Sequence, residues 1–198
     1  MDELNKFAWI STVADMSCEV LNMAPIGMIS FCCDAKGCDG GAAVYEDSIE
    51  VDADALTGRG YPDQLTHICN VVAHEVKHAF QRRAVFEPEL IFEENKEIKD
   101  KERIKEVAGW LQNYSDLSGA EYELQPIELD ASCFAGLVVA SMTESKSQPV
   151  EYAKELYEKG FRENLKYYGA DFKEVFTPEH IAEVFKENLE VWKEDLAS

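Results

Sequence analysis

The chain has 198 residues, of which 46% are hydrophobic, and its formal net charge is −20. This length suffices for one domain with a proper core, and no apolar run approaches the roughly 18 residues that indicate a membrane span. Because the protein has no cationic excess with which to displace counterions from a phosphate backbone, we do not expect nucleic acid as a ligand, whereas a basic partner or mimicry of DNA stays open.

The N-terminus and the cysteines favour a cytoplasmic protein. Residues 1–6 are acidic and polar, where a signal peptide would have a basic stretch followed by an apolar one. The cysteines lie in apolar segments of a chain too large to need disulfides, so we expect them to be reduced. They are Cys18, Cys32, Cys33, Cys38, Cys69 and Cys133. We therefore expect neither export nor a membrane partner.

The first part of the chain is predicted to form one helix and a small sheet. Apolar residues recur at helical spacing over residues 4–21. An apolar run at 28–33, a turn-rich segment and a second run at 42–46 predict two strands. Residues 49–55 then alternate apolar and acidic side chains, the pattern of a strand with one wet face. Together the three strands predict a meander ahead of the next helix.

The turn-rich segment suggests two possible metal sites, a calcium loop and a cysteine site, and the sequence argues against both. A calcium loop beginning at Asp34 would need oxygen ligands where Lys36 and Cys38 stand. Cys32, Cys33 and Cys38 offer thiolates, but no second Cys/His pair at zinc-ribbon spacing accompanies them. We expect core or hairpin cysteines instead.

The strongest motif is His-Glu-Val-Lys-His at residues 74–78, the HExxH pattern, set in an apolar run. On a helix, His74 and His78 stand one turn apart on the same face, so each can point a ring nitrogen at one ion, usually zinc. Glu75 is turned by about 100° from His74 and lies beside the ion, where it can accept a proton from water. An unpartnered carboxylate in so apolar a segment would be expensive, which favours a metal site over two core histidines.

Asp63 is the predicted N-cap of this helix, whose end is expected near residues 81–83. His67 lies on the same face as His74, but it is about 10 Å away along the axis, too far to share the ion. We expect His67 to be a core histidine or one that supports a ligand.

Two later segments frame the choice of a third ligand. Residues 93–111 are highly charged with a thin apolar stripe, and they predict a solvent-facing helix. A further helix opens at Pro126, a residue favoured in a first turn. Its Glu128 and Asp130 are about 200° apart around the axis, so they cannot both be ligands from one face. Glu121, Glu128 and Asp130 are the candidates.

The rest of the chain carries two amphipathic patterns, at residues 150–168 and 178–196, which predict packing helices without chemistry. We therefore expect a single domain over residues 1–198. Its core would lie at about 1–145, followed by a helical C-terminal addition at about 150–198.

The HExxH helix and residues 128–135, written Glu-x-x-Ala-x-x-Phe-Ala, resemble the zincin metallopeptidases, in particular small cytoplasmic ones of the ImmA/IrrE type. The resemblance covers residues 27–140 as an order of elements. It implies an α+β, zincin-like fold in which a small antiparallel-containing sheet packs on the HExxH helix, with additional C-terminal helices. It also implies that Glu128 is the third zinc ligand, beside His74 and His78.

On this basis we expect a peptidase in which zinc activates a water and Glu75 moves its proton to the leaving amine. Tyr122 is a candidate hydrogen-bond donor to the oxyanion. Asp130 is a candidate acceptor for the second ring proton of a ligand histidine. Residues 49–55 are a candidate edge for an extended substrate, by analogy alone. Ser132 stands where the family often has Asn, and no helix-turn-helix for DNA binding is evident.

The competing hypothesis is a non-enzymatic acidic binding protein, either a zincin-like scaffold or a DNA mimic, that engages a basic partner. A scaffold needs the metal ligands at most, whereas Glu75 is needed for turnover. The presence of this glutamate therefore favours the enzyme, whose partner would be a protein or peptide substrate.

Overall fold

The computed structural model describes residues 1–31, 42–45, 48–52, 54–115, 119–143 and 153–197. Within these ranges the chain is mostly helical, with one three-stranded sheet, and so belongs to the expected α+β class. The elements are α1 (Glu3–Val20), β1 (Met28–Phe31), β2 (Ala42–Tyr45), β3 (Ser48–Val51), α2 (Gln64–Phe86), α3 (Lys96–Lys99), α4 (Lys101–Gln112), α5 (Ala120–Glu123), α6 (Pro126–Met142), α7 (Lys154–Tyr168), α8 (Asp171–Val175) and α9 (Pro178–Asp195). Among the described helices, none has the length and apolar character needed to cross a membrane.

The sheet has the strand order β1-β3-β2, so the predicted meander is wrong. β1 runs parallel to β3, with Ile29 opposite Ile49, and β2 runs antiparallel to β3. β3 is therefore the central strand and offers no edge to a substrate, contrary to expectation. The alternation of apolar and acidic residues places the apolar side chains inside, as predicted, since Ile49 and Val51 are fully buried. The strand ends earlier than expected because the Asp52 carboxylate accepts hydrogen bonds from the Asp54 and Ala55 amides and turns the chain.

Helix α2 carries the HExxH motif and begins where the sequence predicts. The Asp63 carboxylate caps it by accepting a hydrogen bond from the Thr66 amide at 2.8 Å. The helix continues past the expected end because Arg83 is buried, not exposed, and its guanidinium donates to the carbonyls of Ala24 and Pro25. Arg82 and Arg83 therefore lie inside the helix, and Arg83 ties α2 to the segment after α1.

Helices α1 and α6 both pack on α2. Helix α6 opens with Pro126 in its first turn, as predicted. Its Ala131 and Ala135 are fully buried, and such small side chains allow two helix axes to approach closely. Phe134 and Val138 of α6 join Val72, Val76 and Phe80 of α2 in one hydrophobic core.

The charged segment at 93–111 is not the single solvent-facing helix that was expected. It breaks at Asp100, whose carboxylate caps α4 by accepting from the Arg103 amide at 3.2 Å. Two of its charged residues, Glu97 and Arg103, point inward and are buried. They were assigned to the solvent face because a charge is usually solvated, but here each meets an opposite charge from another helix.

These charges form what we call the buried ion cluster: Lys77, Glu97, Arg103 and Asp130. Glu97 accepts from Lys77 Nζ at 2.8 Å and from Arg103 Nε at 2.7 Å, while Arg103 Nη2 also reaches Asp130 Oδ1 at 2.7 Å. Lys77 Nζ lies 3.5 Å from Asp130 Oδ2, and the Tyr168 hydroxyl donates to Glu97. Two cations thus face two anions, which offsets the cost of removing all four from water.

The C-terminal helices differ in how deeply they pack. Helices α7 and α8 contribute Tyr168, Phe172 and Val175 to the same core that contains α2. None of the residues of α9 is fully buried. It lies on α1 through aromatic contacts, among them Trp9 with Phe185, whose ring centroids are 4.3 Å apart. Because Tyr168 also reaches the buried ion cluster, α7 is more than the packing helix that was expected.

Replacing Glu97 with Ala is expected to lower the free energy of unfolding by about 3–5 kcal/mol, because it leaves a buried cation without compensation. Urea denaturation at pH 7 measures this change. Glu102→Ala is the matched control: Glu102 pairs with Lys105 at the surface of α4, and its loss should cost no more than about 0.5 kcal/mol. Equal effects of the two substitutions would contradict the role given to the cluster.

Candidate metal centre

Three side chains from α2 and α6 converge on one point. His74 Nε2 lies 3.1 Å and His78 Nε2 3.3 Å from Glu128 Oε2, and the two ring nitrogens are 2.9 Å apart. Within the described part of the chain, these three residues form a possible metal-binding group whose ligand atoms lie within 4.8 Å of one another. The structure thus brings together the two histidines of the motif and the glutamate that the resemblance implied.

The three candidates for the third ligand lie in different places. Glu128 is in the first turn of α6 and is only 3% exposed at its side chain. Glu121 is exposed on α5, and Asp130 faces the buried ion cluster. Glu128 and Asp130 lie about half a helical turn apart, so their carboxylates point in opposite directions. The Glu128 carboxylate faces the histidines, and that of Asp130 faces Lys77 and Arg103.

The second nitrogen of each ring has its own partner. His78 Nδ1 is 2.8 Å from Gln81 Oε1, and His74 Nδ1 is 3.4 Å from Ser132 Oγ. Each Nε2 is therefore left to face Glu128. Two imidazole nitrogens and one carboxylate oxygen are a ligand set of catalytic zinc sites, which keep a fourth position open. The residues present fit such an ion.

The charges around the centre keep Glu128 ionised. Burial raises the pKa of Glu128, but the hydrogen bonds and charges of His74 and His78 outweigh burial and hold this pKa well below its usual range. Burial lowers the pKa of His78, yet Glu128, Glu75 and Gln81 together raise it above the ordinary value. Glu128 is therefore an anion at neutral pH, as a metal ligand must be.

Glu75 lies beside the centre but outside the group of three possible ligands, as its offset on the helix predicts. Burial raises the pKa of its carboxyl, and the charge of Glu128 raises it further, while His74 and His78 act in the opposite direction. A carboxylate with a raised pKa is a better proton acceptor at neutral pH than one in water.

Asp130 does not touch a histidine, which corrects the predicted direct contact. Gln81 lies between them: its Nε2 donates to Asp130 Oδ2 at 2.9 Å, and its Oε1 faces His78 Nδ1. Asp130 also accepts from Asn164 of α7 at 3.1 Å. The physical reason is charge pairing, since Asp130 is held by Lys77 and Arg103 of the buried ion cluster.

Tyr122 lies next to the third ligand. Its pKa is raised by burial and by hydrogen bonds with Tyr114 and Glu128, so the hydroxyl stays protonated at neutral pH. The hydroxyl therefore has a proton to donate in this region, although in the structure it is directed at Glu128. Its role toward an oxyanion stays a prediction.

Sequence reasoning missed the contact of Gln81 with His78 and that of Ser132 with His74. Gln81 follows His78 by three residues, the spacing at which helical side chains meet, and Ser132 follows Glu128 by four. These spacings were the available signal. Lys77 gave another, because a lysine inside an apolar helix needs a buried anion.

The other histidine and cysteine expectations have separate outcomes. His67 is buried, accepts from the Gly58 amide at 3.2 Å and stacks on the Tyr61 ring, as expected of a core histidine. Burial raises the pKa of Cys69 and Cys133 to about 12, so neither is a thiolate at neutral pH. Cys18 is buried as well and is a reduced thiol. The segment 32–40, with its three cysteines, lies outside the described residues.

Comparisons of the chain with models of protein families, with curated proteins and with solved structures found no match. Its function is therefore inferred from the geometry of the candidate metal centre and from the two motifs that form it.

The protein purified without added metal is expected to contain about one zinc ion per chain, because one complete set of three ligands is formed. Elemental analysis by mass spectrometry measures the ratio. Alanine at both His74 and His78 should remove the ion. If zinc survives that change but disappears when Cys32, Cys33 and Cys38 are replaced, the assigned centre is wrong.

Glu128→Ala is expected to abolish tight zinc binding, whereas Asp130→Ala should weaken it by about 10- to 100-fold, the usual effect of losing a residue that supports a ligand. Competition with a chromogenic chelator gives both dissociation constants. Glu121→Ala, an exposed glutamate one helix earlier, should bind as the parent does. A larger loss for the Asp130 change than for the Glu128 change would reverse the assignment of the ligand.

Proposed function

We propose that this protein is a zinc-dependent metallopeptidase with a zincin-like fold, which hydrolyses peptide bonds in the cytoplasm. The observation that carries the proposal is the convergence of His74, His78 and Glu128 on one point, with Glu75 beside it and outside the ligand group. These four residues supply three metal ligands and one proton acceptor, the groups that metal-assisted hydrolysis needs.

The choice of zinc follows from the ligands. A centre of two imidazoles and one carboxylate keeps a position for water or substrate, and the ligand atoms here come from only two helices. When bound, zinc supplies a Lewis acid that makes water acidic near neutral pH and polarises a carbonyl group. Ser132 and Gln81 hold the opposite sides of the two rings, so the ligands keep their orientation.

Glu75 is the proposed general base. It accepts the proton of the attacking water and delivers it to the amine that leaves, so one side chain serves both steps. Its raised pKa suits that exchange, because a carboxyl group that is too acidic would hold a proton poorly.

Tyr122 is proposed to donate a hydrogen bond to the oxygen that becomes negative in the transition state. Burial and its contacts with Tyr114 and Glu128 raise the pKa of this hydroxyl, which keeps its proton available. Donation to the substrate requires the hydroxyl to turn from Glu128 toward the open side of the centre.

An extended substrate needs a sheet edge near the centre. β3 is excluded because it is central, whereas β2 packs on α2 and has a strand on only one side in the described part of the sheet. We therefore place the substrate on β2, by analogy with strand addition elsewhere. The net charge of −20 favours basic proteins or peptides as substrates.

The same charge supports a second candidate, an acidic binding protein that holds a basic partner without cleaving it. Such a protein has no use for a general base, so Glu75 favours the enzyme. The two functions differ in one outcome. A scaffold binds a basic protein tightly and in fixed proportion at low salt and leaves it intact, whereas a peptidase produces fragments.

Glu75→Gln is expected to retain the fold and the zinc but to lower peptidase turnover by roughly 10²- to 10⁴-fold, the usual contribution of general acid-base catalysis. Cleavage of a basic peptide library, followed by mass spectrometry, provides the rate. Glu89→Gln makes the same change at an exposed site and should leave turnover unaltered. Equal rates for parent and Glu75→Gln would refute the role of Glu75, and intact basic peptides bound in fixed proportion would favour the scaffold.

A further inference from the structure

The side-chain amide of Gln81 can take only one orientation. Its Nε2 lies 2.9 Å from Asp130 Oδ2 and 3.1 Å from the Ile127 carbonyl oxygen. Both of these atoms can only accept a hydrogen bond, since a carbonyl oxygen and an ionised carboxylate have no proton to give. The NH₂ group of Gln81 must therefore face them, and its Oε1 must face His78. Gln81 is fully buried, so water cannot replace either contact.

The orientation of this amide determines which nitrogen of His78 carries the proton. Gln81 Oε1 lies 2.8 Å from His78 Nδ1, and an amide oxygen can only accept. His78 Nδ1 is thus the donor, and a neutral ring with its proton there has its lone pair on Nε2. That nitrogen is the one 2.9 Å from His74 Nε2 and 3.3 Å from Glu128 Oε2.

Asp130 acts as an acceptor because cations surround it. Lys77 and Arg103 lie at 3.5 and 2.7 Å from its oxygens, and Asn164 adds a hydrogen bond. The Ile127 carbonyl, which has no proton to give, fixes the same orientation of the Gln81 amide.

We propose that Gln81 is a positioning residue which, held by Asp130 and the rest of the buried ion cluster, fixes the ring of His78 with Nε2 directed at the metal. This inference rests on the proposed metal centre and adds to it a line of contacts. The line runs from Arg103 on α4 and Lys77 on α2, through Asp130 on α6, to a ligand. Lys77, the fourth residue of the HExxH motif, faces away from the ion and stabilises the support of its neighbour.

The test compares Gln81→Met with the parent protein, using zinc as the ligand. Methionine has a similar length but neither accepts from His78 nor donates to Asp130. We expect zinc affinity, measured by chelator competition, to fall by about 10- to 100-fold. Gln64→Met is the matched control on the same helix: Gln64 donates to the Leu56 carbonyl at 2.5 Å, far from the centre along α2, and its loss should not change zinc affinity.

A second readout separates positioning from packing. In the zinc-loaded parent with ¹⁵N-labelled histidine, the Nδ1 proton of His78 should exchange slowly with water, because it is bonded to a buried oxygen. His78→Ala assigns the signal among four histidines. In Gln81→Met the same proton should exchange fast. A purely structural role for Gln81 would lower stability without changing this exchange.

Parent-like zinc affinity in Gln81→Met would overturn the proposal. Fast exchange of the His78 Nδ1 proton in the parent protein would overturn it as well, and that measurement needs no variant. These results do not depend on finding a substrate, because zinc binding and proton exchange are measured without turnover. Failure of the proposed function has a different signature: zinc retained after His74 and Glu128 are replaced, or Glu75→Gln with full activity.

Discussion

The contact between α2 and α6 is the interaction on which the rest of the structure depends. It brings Glu128 to the two histidines on one side of the contact and Asp130 to Lys77 and Arg103 on another. Ala131 and Ala135 keep α6 close enough for these short carboxylate side chains to reach. A bulkier side chain at either position would separate the helices and break both sets of contacts together.

This arrangement requires the burial of four charged side chains. Lys77 and Glu97 are fully buried, and Arg103 and Asp130 nearly so, which in an apolar core would be unfavourable without pairing. The cluster is neutral as a whole, and Tyr168 and Asn164 satisfy further lone pairs. An apolar replacement of the whole set could be as stable, so pairing alone does not explain its presence. In our proposal its contact with Gln81 gives the cluster a second role, because Gln81 also contacts His78 of the candidate metal centre.

The residues of the proposed active site stand on two helices, α2 and α6. Both histidines and Glu75 are on a 23-residue helix that is capped at its start and tied by Arg83 to the segment after α1. Glu128 is in the first turn of a second helix, where an anion is favoured by the helix dipole. Ligands held on such elements keep their geometry better than ligands on loops, which suits a site that must leave one position open for a reactant.

The sequence by itself determined the local features of this protein: the capped helix with His74 and His78 on one face, Glu75 beside them, and the opposite directions of Glu128 and Asp130. These follow from the repeat of the α-helix, which is the same wherever the helix lies. Only the tertiary structure decided the strand order β1-β3-β2, the burial of Glu97 and Arg103, and the place of Gln81 between His78 and Asp130. Such contacts join residues that are far apart in the chain, and packing and charge compensation decide which residues meet. A sequence pattern does not give the distances between such residues.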